Sequence, residues 1–274
     1  MTEQIRISFL GGGNMATALI GGMLERGFDA ADIQVVELQA EGRQRLAERF
    51  GVRAVAAVDE ALLDCDVLVL AVKPQQMRAA LAPLTGRLGR QVVVSIAAGL
   101  RLADLSRWLG GHLRLVRVMP NTPALIGAGV SGLYADPSVD TAGRAAAERV
   151  LAAVGSTVWI ADEAQMDAVT AVSGSGPAYV FHFIEALEAA GASLGFDAAT
   201  ARRLAIDTVL GAAQLAAGSD EAPGVLRERV TSKGGTTEAA LASMAASGVF
   251  DAIVRAVKAA EVRGRELGEQ LGKD

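Results

Sequence analysis

FLGGGNMATALIGG, at residues 9–22, is the segment of this sequence that says most about its fold. It contains Gly11, Gly13 and Ala16 in the spacing G-x-G-x-x-A, directly after a strand-like run and directly before a segment of helical period. Gly11 permits a tight turn, Gly13 lets the backbone approach a pyrophosphate, and Ala16 allows close packing of helix on strand. Free amides at the helix start face the phosphates in such units. The stretch predicts a dinucleotide-binding βαβ unit rather than a glycine-rich turn that merely joins two elements.

An acidic residue follows this fingerprint at the distance that such units require. Glu37 ends the second strand-like run, about 20 residues later, where a carboxylate can accept hydrogen bonds from an adenosine ribose. Taken alone, Glu37 favours NAD over NADP. Arg43 and Arg45 lie close enough in sequence to be phosphate partners, so the choice between the two cofactors stays open.

The first 160 residues alternate β-branched runs with helical segments, which predicts an α/β Rossmann domain with a mostly parallel, doubly wound sheet. Helices are expected between the strands, at 14–25, 42–50, 75–84 and 102–109, and an ordered loop at 119–129. Strands are predicted at Ile5–Leu10, Ile33–Leu38, Val52–Val55, Val67–Val72, Val92–Ile96, Leu113–Met119, Val130–Tyr134 and Thr157–Ile160.

The character of the chain changes after Ile160, because apolar residues then recur only at helical spacing. We therefore expect two domains, a Rossmann domain over residues 1–161 and an all-α domain over residues 162–274. The helices predicted for the second domain are Ala178–Leu194, Ala198–Ala217, Thr236–Ala246 and Phe250–Leu267.

Composition narrows the class of protein. The 26 basic and 31 acidic residues are spread without a sustained block of either sign, which speaks against nucleic acid or an anionic membrane as partner. The single cysteine, Cys65, excludes an intrachain disulfide and a thiolate metal cluster. The apolar run Val67–Val72 is far shorter than the roughly 20 residues of a membrane-spanning helix. We expect a soluble, cytoplasmic protein without a metal site.

Six motifs in a fixed order extend along the chain. The first is FLGGGNMATALI, and the others are AVKPQ at 71–75, SIAAG at 95–99, MPNTPA at 119–124, SGSGPAY at 173–179 and VTSKGGTTEAAL at 230–241. On these motifs the chain resembles the pyrroline-5-carboxylate reductases over essentially its whole length. The resemblance implies hydride transfer from NADPH or NADH to the C=N carbon of L-1-pyrroline-5-carboxylate, giving L-proline in the last step of proline biosynthesis.

The resemblance also implies which residues meet the substrate. Thr237 aligns with the threonine whose hydroxyl meets the ring nitrogen, which makes it the candidate catalytic residue. The candidate substrate-binding residues are Ser232, Gly234, Gly235, Thr236 and Ser175, of which the first four would hold the carboxylate. By residue type alone, a Ser/Gly/Thr run before a helix fits a plain helix cap equally well. Lys233 stands where proline is common in the family.

The implied cofactor contacts all lie in the first domain. They are Gly11, Gly13, Asn14, Met15, Glu37, Val72, Lys73, Pro74, Ala97 and Asn121. The helical domains of the family interlock into dimers, which can assemble further into decamers, so the resemblance implies a homo-oligomer whose active site is completed at the dimer contact. The abundance of small helical apolar residues supports self-association.

Two other functions compete with this one. The first is a β-hydroxyacid or imino-acid dehydrogenase, since those families also join a Rossmann domain to a helical one. The hydroxyacid version would carry a catalytic lysine on the first long helix of the second domain, and 178–194 contains no lysine. A dinucleotide sensor without turnover would not need the intact SKGGTT at 232–237, and an assay with pyrroline carboxylate separates it from an enzyme. We expect His112 to lie in an exposed turn. Neither His112 nor His182 is expected to be catalytic, and Cys65 is expected to be inert.

Overall fold

The computed structural model describes residues 5–273. Its framework is an eight-stranded sheet of order β3-β2-β1-β4-β5-β6-β7-β8, in which all neighbours are parallel except β6 and β7. The strands are β1 Ile7–Leu10, β2 Ile33–Val36, β3 Arg53–Val55, β4 Val67–Leu70, β5 Val92–Ser95, β6 Leu115–Met119, β7 Gly129–Ala135 and β8 Gly155–Trp159. All eight predicted strands are present with ends moved by a few residues, and the predicted fold class is confirmed.

Strand β4 is buried along its whole length on both faces, which explains its continuous apolar sequence. Successive residues of β4 alternate between two apolar clusters, with Val67 and Val69 in one and Leu68 and Leu70 in the other. Each cluster is covered by helices, so the strands cannot alternate apolar with polar residues. This two-sided burial is the physical basis of the doubly wound architecture.

Seven α-helices accompany the sheet in sequence. They are α1 Asn14–Glu25, α2 Ala40–Phe50, α3 Glu60–Leu63, α4 Pro74–Leu81, α5 Leu102–Trp108, α6 Thr141–Ala152 and α7 Met166–Val169. The predicted bounds of α1 are confirmed. Three of these helices were not predicted from the sequence, namely the short α3 and α7 and the longer α6. The N-cap of α6 is Asp140, whose side chain accepts a hydrogen bond from the amide of Gly143 at 2.7 Å.

Five further helices follow. They are α8 Gly176–Ser193, α9 Ala198–Ala217, α10 Pro223–Arg229, α11 Thr236–Ala246 and α12 Val249–Leu271. The bounds predicted for α9 and α11 are confirmed, whereas α10 was not expected from the sequence. The chain forms two compact units. The first extends to Ser175 and also includes the chain from Ala260 onward, and the second comprises Gly176–Ala259. Residues 162–175 and the last turns of α12 thus belong to the same compact unit as the sheet. The predicted boundary at 161 between a Rossmann domain and a helical domain concerns functional domains, and it stays a prediction.

The second compact unit has almost no core of its own. Of its residues, only Ala201 and Ala205 are buried. Large apolar side chains are exposed on several of its helices, among them Phe181 and Phe250 at 61% and 76%. A unit with so little buried apolar surface is not stable by itself.

Among residues 5–273, every individual helix falls short of the length and apolar character of a membrane span, whereas α11 and α12 have both together as a pair bent by 53°. The same residues contain no group of three or more His, Cys, Asp or Glu side chains arranged to hold a metal ion.

Candidate active site

The glycine-rich loop between β1 and α1 has the geometry of a phosphate-binding turn. Gly11 has φ of +103°, and a Cβ added there would lie 2.7 Å from the carbonyl oxygen of Ala71. Only glycine fits this position without strain. Gly13 is the N-cap of α1, and an added Cβ would meet no atom within 4 Å. Among residues 5–273, no packing contact requires glycine at 13, so the open space before the amides of Asn14 and Met15 suits a pyrophosphate.

Glu37 joins this loop to the turn after β2. One carboxylate oxygen accepts a hydrogen bond from the amide of Gly12 at 3.0 Å, and the other accepts one from the amide of Gln39 at 2.8 Å. Gly42 packs against it so closely that an added Cβ would lie 2.8 Å from Cγ of Glu37. Each oxygen keeps lone-pair capacity for a ribose hydroxyl. Glu37 therefore fixes the loop as well as offering an acceptor, a second role that the sequence did not indicate.

A cation lies beside this acid. The Nη1 of Arg43 donates hydrogen bonds to the carbonyl oxygens of Glu37 and Leu38, at 2.9 and 2.7 Å. Arg43 keeps further N–H donors, whereas Arg45 is exposed on α2. The turn after β2 thus contains groups suited to either an unphosphorylated or a 2′-phosphorylated ribose.

We expect Gly13→Ala to weaken cofactor binding without destabilising the fold. Within the described part of the chain, the added methyl group has no packing neighbour closer than 4 Å, so the free energy of unfolding should change by less than about 1 kcal/mol. A phosphate approaching the loop would meet that methyl group, and the Kd for NADPH should rise about tenfold or more. Fluorescence titration and urea unfolding measure the two effects.

Gly11→Ala is the matched control, because its methyl group would strike the backbone of Ala71 and should lower stability and binding together. Unchanged NADPH affinity in Gly13→Ala would contradict a pyrophosphate at this loop.

The turns after β4 and β5 lie at the same edge of the sheet as the glycine-rich loop, because these strands run parallel to β1. Cγ1 of Val72 would be 2.9 Å from a Cβ added to Gly11. Lys73 is the exposed N-cap of α4, which begins at Pro74, and Ala97 is buried after β5. The structure thus gathers four predicted cofactor contacts near the predicted phosphate loop, while their contact with a cofactor stays a prediction.

Asn121 connects three segments at this edge. Its Oδ1 accepts a hydrogen bond from the amide of Val130 at 2.9 Å, and its Nδ2 donates to the carbonyl oxygen of Ser173 at 3.2 Å. Both ends of the side-chain amide are thus engaged by the protein. Asn121 holds the MPN loop against β7 and the SGSG segment, and its predicted place near the nicotinamide stays a prediction.

The SGSG segment contains a π-helical turn over Thr170–Gly174. The amide of Ser175 donates to the carbonyl oxygen of Thr170 at 2.8 Å, and a Cβ added to Gly174 would lie 2.5 Å from Cε of Met119. Turns of this kind are frequent at functional sites. No sequence signal predicted the turn, and it brings Ser175, a predicted substrate-binding residue, next to the MPN segment.

In the second compact unit, the SKGGTT segment forms a tight turn that opens α11. The amide of Gly235 donates to the carbonyl oxygen of Ser232 at 2.9 Å, and the amide of Gly234 donates to the carboxylate of Glu238 at 2.6 Å. Two of the three amides expected to hold a substrate carboxylate therefore have protein partners already. As the first residues of α11, Thr236 and Thr237 present amides that the helix itself does not use.

The side-chain hydroxyls of this turn are available for a ligand. Within residues 5–273, no hydrogen bond involves the hydroxyl of Ser232, Thr236 or Thr237. Ser232 and Lys233 are exposed, and Thr237 is half-buried. The turn combines free hydroxyls, free amides and a nearby carboxylate, Glu238, that a ligand would have to displace to reach Gly234.

Three residues that often attract catalytic roles have ordinary surroundings here. Cys65 is buried, and burial raises the pKa of its thiol to about 11, in keeping with the expected unreactive thiol. His182 is exposed on α8 beside Glu185. His112 was expected in an exposed turn, but it is half-buried, with Nε2 3.0 Å from the carbonyl oxygen of Gln91, and burial lowers the pKa of its ring.

Comparison with known proteins gives two family matches. Residues 163–267 match the family described as pyrroline-5-carboxylate reductase dimerisation. Residues 6–99 match the family described as NADP oxidoreductase, coenzyme F420-dependent. Together the two matches cover the helical region and the first half of the Rossmann fold.

Whole-length relatives agree with these matches. Pyrroline-5-carboxylate reductase of Pseudomonas aeruginosa is 50% identical over 98% of either chain. The solved structure of the reductase from Coxiella burnetii is 37% identical, with a TM-score of 0.93 over 97% of this chain and 99% of that one. The Plasmodium falciparum enzyme, solved with NADP bound, is 28% identical, with a TM-score of 0.85 over 98% of this chain and 100% of that one. The chain therefore belongs to the pyrroline-5-carboxylate reductase family.

Proposed function

We propose that this protein is an NAD(P)H-dependent reductase that converts L-1-pyrroline-5-carboxylate to L-proline, the last step of proline biosynthesis. The observation that carries the proposal is the turn before α11, where the hydroxyl of Thr237 and the first helix amides have no partner among residues 5–273 and can bind a small anionic imine. Whole-length similarity to reductases of this substrate supports it. The Rossmann unit supplies the second requirement, a dinucleotide site.

The first compact unit would hold the cofactor. Gly13 and the start of α1 bind the pyrophosphate, and Glu37 accepts a hydrogen bond from the adenosine ribose. The reduced nicotinamide supplies a hydride when it is bound. Val72 and Ala97 line the sheet edge on the far side of the glycine-rich loop from Glu37, where the other end of an extended dinucleotide lies.

The turn before α11 would hold the substrate. The amides of Thr236 and Thr237 and the hydroxyl of Ser232 bind the carboxylate, because helix N-termini favour anions. The hydroxyl of Thr237 hydrogen-bonds the ring nitrogen, which takes up one proton, ultimately from water, as the C=N carbon gains the hydride from the reduced nicotinamide. Anchoring at two points fixes which face of the ring is attacked. The product is a saturated ring with a secondary amine, L-proline.

The direct test is turnover. Purified protein is mixed with L-1-pyrroline-5-carboxylate and with NADPH or NADH separately, nicotinamide absorbance is followed, and proline is quantified. We expect one proline for each cofactor oxidised. Absence of turnover with both cofactors, together with demonstrated nucleotide binding, would contradict the reductase and favour a dinucleotide sensor.

We further propose that the chain works as a homodimer formed by its helical unit. With only Ala201 and Ala205 buried in that unit, its exposed apolar side chains need a second copy to cover them. The match to a dimerisation family supports this. Assembly to a decamer and residence in the cytoplasm stay predictions.

We expect sedimentation to give a dimer or a larger closed assembly, with no monomer at micromolar concentration. The thermal midpoint should rise with protein concentration, because association stabilises the folded state by mass action. A monomer whose midpoint does not depend on concentration would contradict the proposed dimer.

A further inference from the structure

The last turns of α12 cover the loop between β5 and α5. Gly268 is buried there, and a Cβ added to it would lie 2.8 Å from the carbonyl oxygen of Gly99. Carbon and oxygen atoms do not approach this closely without displacement. Glycine at 268 is therefore what allows the helix to rest directly on the backbone of the loop.

Neighbouring contacts hold this end of the helix in place. Cδ1 of Leu271 would lie 3.2 Å from a Cβ added to Gly99, and Leu271 packs against the buried cluster that includes Leu100 and Leu102. The Nη2 of Arg107 donates a hydrogen bond to the carbonyl oxygen of Gly272 at 2.9 Å. All these residues belong to the first compact unit. Their contacts form what we call the clamp, in which the end of α12 packs on the loop between β5 and α5 and holds it in place.

The clamped loop occupies a specific place on the sheet. It follows β5 at the carboxyl edge, on the opposite side of β1 from β2 and Glu37. A dinucleotide whose adenosine ribose lies at Glu37 extends across this edge toward β4 and β5. Ala97, at the start of the loop, is buried and precedes Gly99 by two residues.

We propose that the carboxyl end of α12 together with Gly272 after it, residues 268–272, is a positioning element that holds the 96–101 loop at a fixed distance from the nicotinamide half of the cofactor. Gly268 is the residue of this element that lies against the backbone of Gly99. This inference rests on the proposed function in assigning the nicotinamide to the loop. The adenosine half, held at the glycine-rich loop and Glu37, does not depend on the clamp.

Gly268→Ala should therefore impair binding of one half of the cofactor. The methyl group must push the backbone of Gly99 by several tenths of an ångström, and we expect the Kd for the reduced cofactor to rise about tenfold. The Kd for the same cofactor without its nicotinamide, ADP-ribose or its 2′-phosphate, should stay within about twofold. Isothermal titration of both ligands gives the ratio without any turnover.

Gly264→Ala is the matched control, one turn earlier on α12, where an added Cβ would lie 3.7 Å from Asp167 in ordinary contact. It should leave both Kd values unchanged. Leu271→Ala removes a packing contact of the clamp instead of adding a steric clash. It should raise the Kd for the whole cofactor but not the Kd for the ligand without nicotinamide, and it replaces Gly268→Ala in the test if that variant does not fold.

Equal weakening of both ligands in Gly268→Ala, or no weakening of either, would overturn the positioning role. Because the readout is nucleotide binding, failure of the wild-type protein to reduce pyrroline carboxylate would contradict the proposed function and leave this test standing.

Discussion

Thr237→Val should lower kcat with pyrroline carboxylate by about 100-fold, the effect expected for loss of a positioned group at a proton-accepting atom. Valine keeps the shape of threonine and removes the hydroxyl, which has no hydrogen-bond partner within residues 5–273. The fold gains nothing from that hydroxyl, so stability should hardly change. Steady-state kinetics with saturating cofactor measures kcat, and titration with NADPH should show unchanged affinity.

Two controls make this result specific. Thr237→Ser keeps a hydroxyl at the same place and should retain most of the activity. Thr236→Val changes the preceding residue of the same helix turn, whose proposed contribution is its amide, and should have a small effect. Thr237→Val with kcat within about threefold of the wild type would exclude this hydroxyl from the chemistry.

Arg117→Met should lower the free energy of unfolding by about 3 kcal/mol or more. Arg117 lies on β6, is 3% exposed, and forms ion pairs with Glu163 at 3.2 Å and Asp167 at 3.5 Å. Methionine fills a similar volume but leaves two poorly solvated carboxylates without their cation. Glu163 also accepts a hydrogen bond from the amide of Leu102 at 2.8 Å, so the start of α5 should loosen too. Urea unfolding of the two proteins at equal concentration measures the loss.

Arg114→Met is the matched control, because Arg114 pairs with the exposed Asp140 at 3.2 Å. Exposed pairs contribute about 1 kcal/mol or less, and this variant should unfold near the wild type. If Arg117→Met were no less stable than Arg114→Met, the buried ion pairs would not be stabilising the packing of residues 163–169 on the sheet.

The strands and the glycine-rich turn after β1 were predictable because their signals are local. Continuous apolar runs such as Val67–Leu70 report burial on both faces, and Gly11 reports a backbone conformation that other residues rarely adopt. The amides of Gly234 and Gly235 show the limit of such signals. Their motif indicated free donors, but Glu238 and Ser232 already accept from them in the folded chain.

Local patterns along the chain are enough to predict the Rossmann class, the order of the strands, the all-helical second half and the motifs of a reductase of this family. Four contacts become visible only in the folded chain. Glu37 accepts a hydrogen bond from Gly12, Asn121 donates one to Ser173, Arg117 is buried between two carboxylates, and Gly268 rests on Gly99. These partners are separated by many residues, and no periodicity or spacing encodes such a pair. Contacts of that kind depend on how packed elements meet, which is settled only when the whole chain has folded.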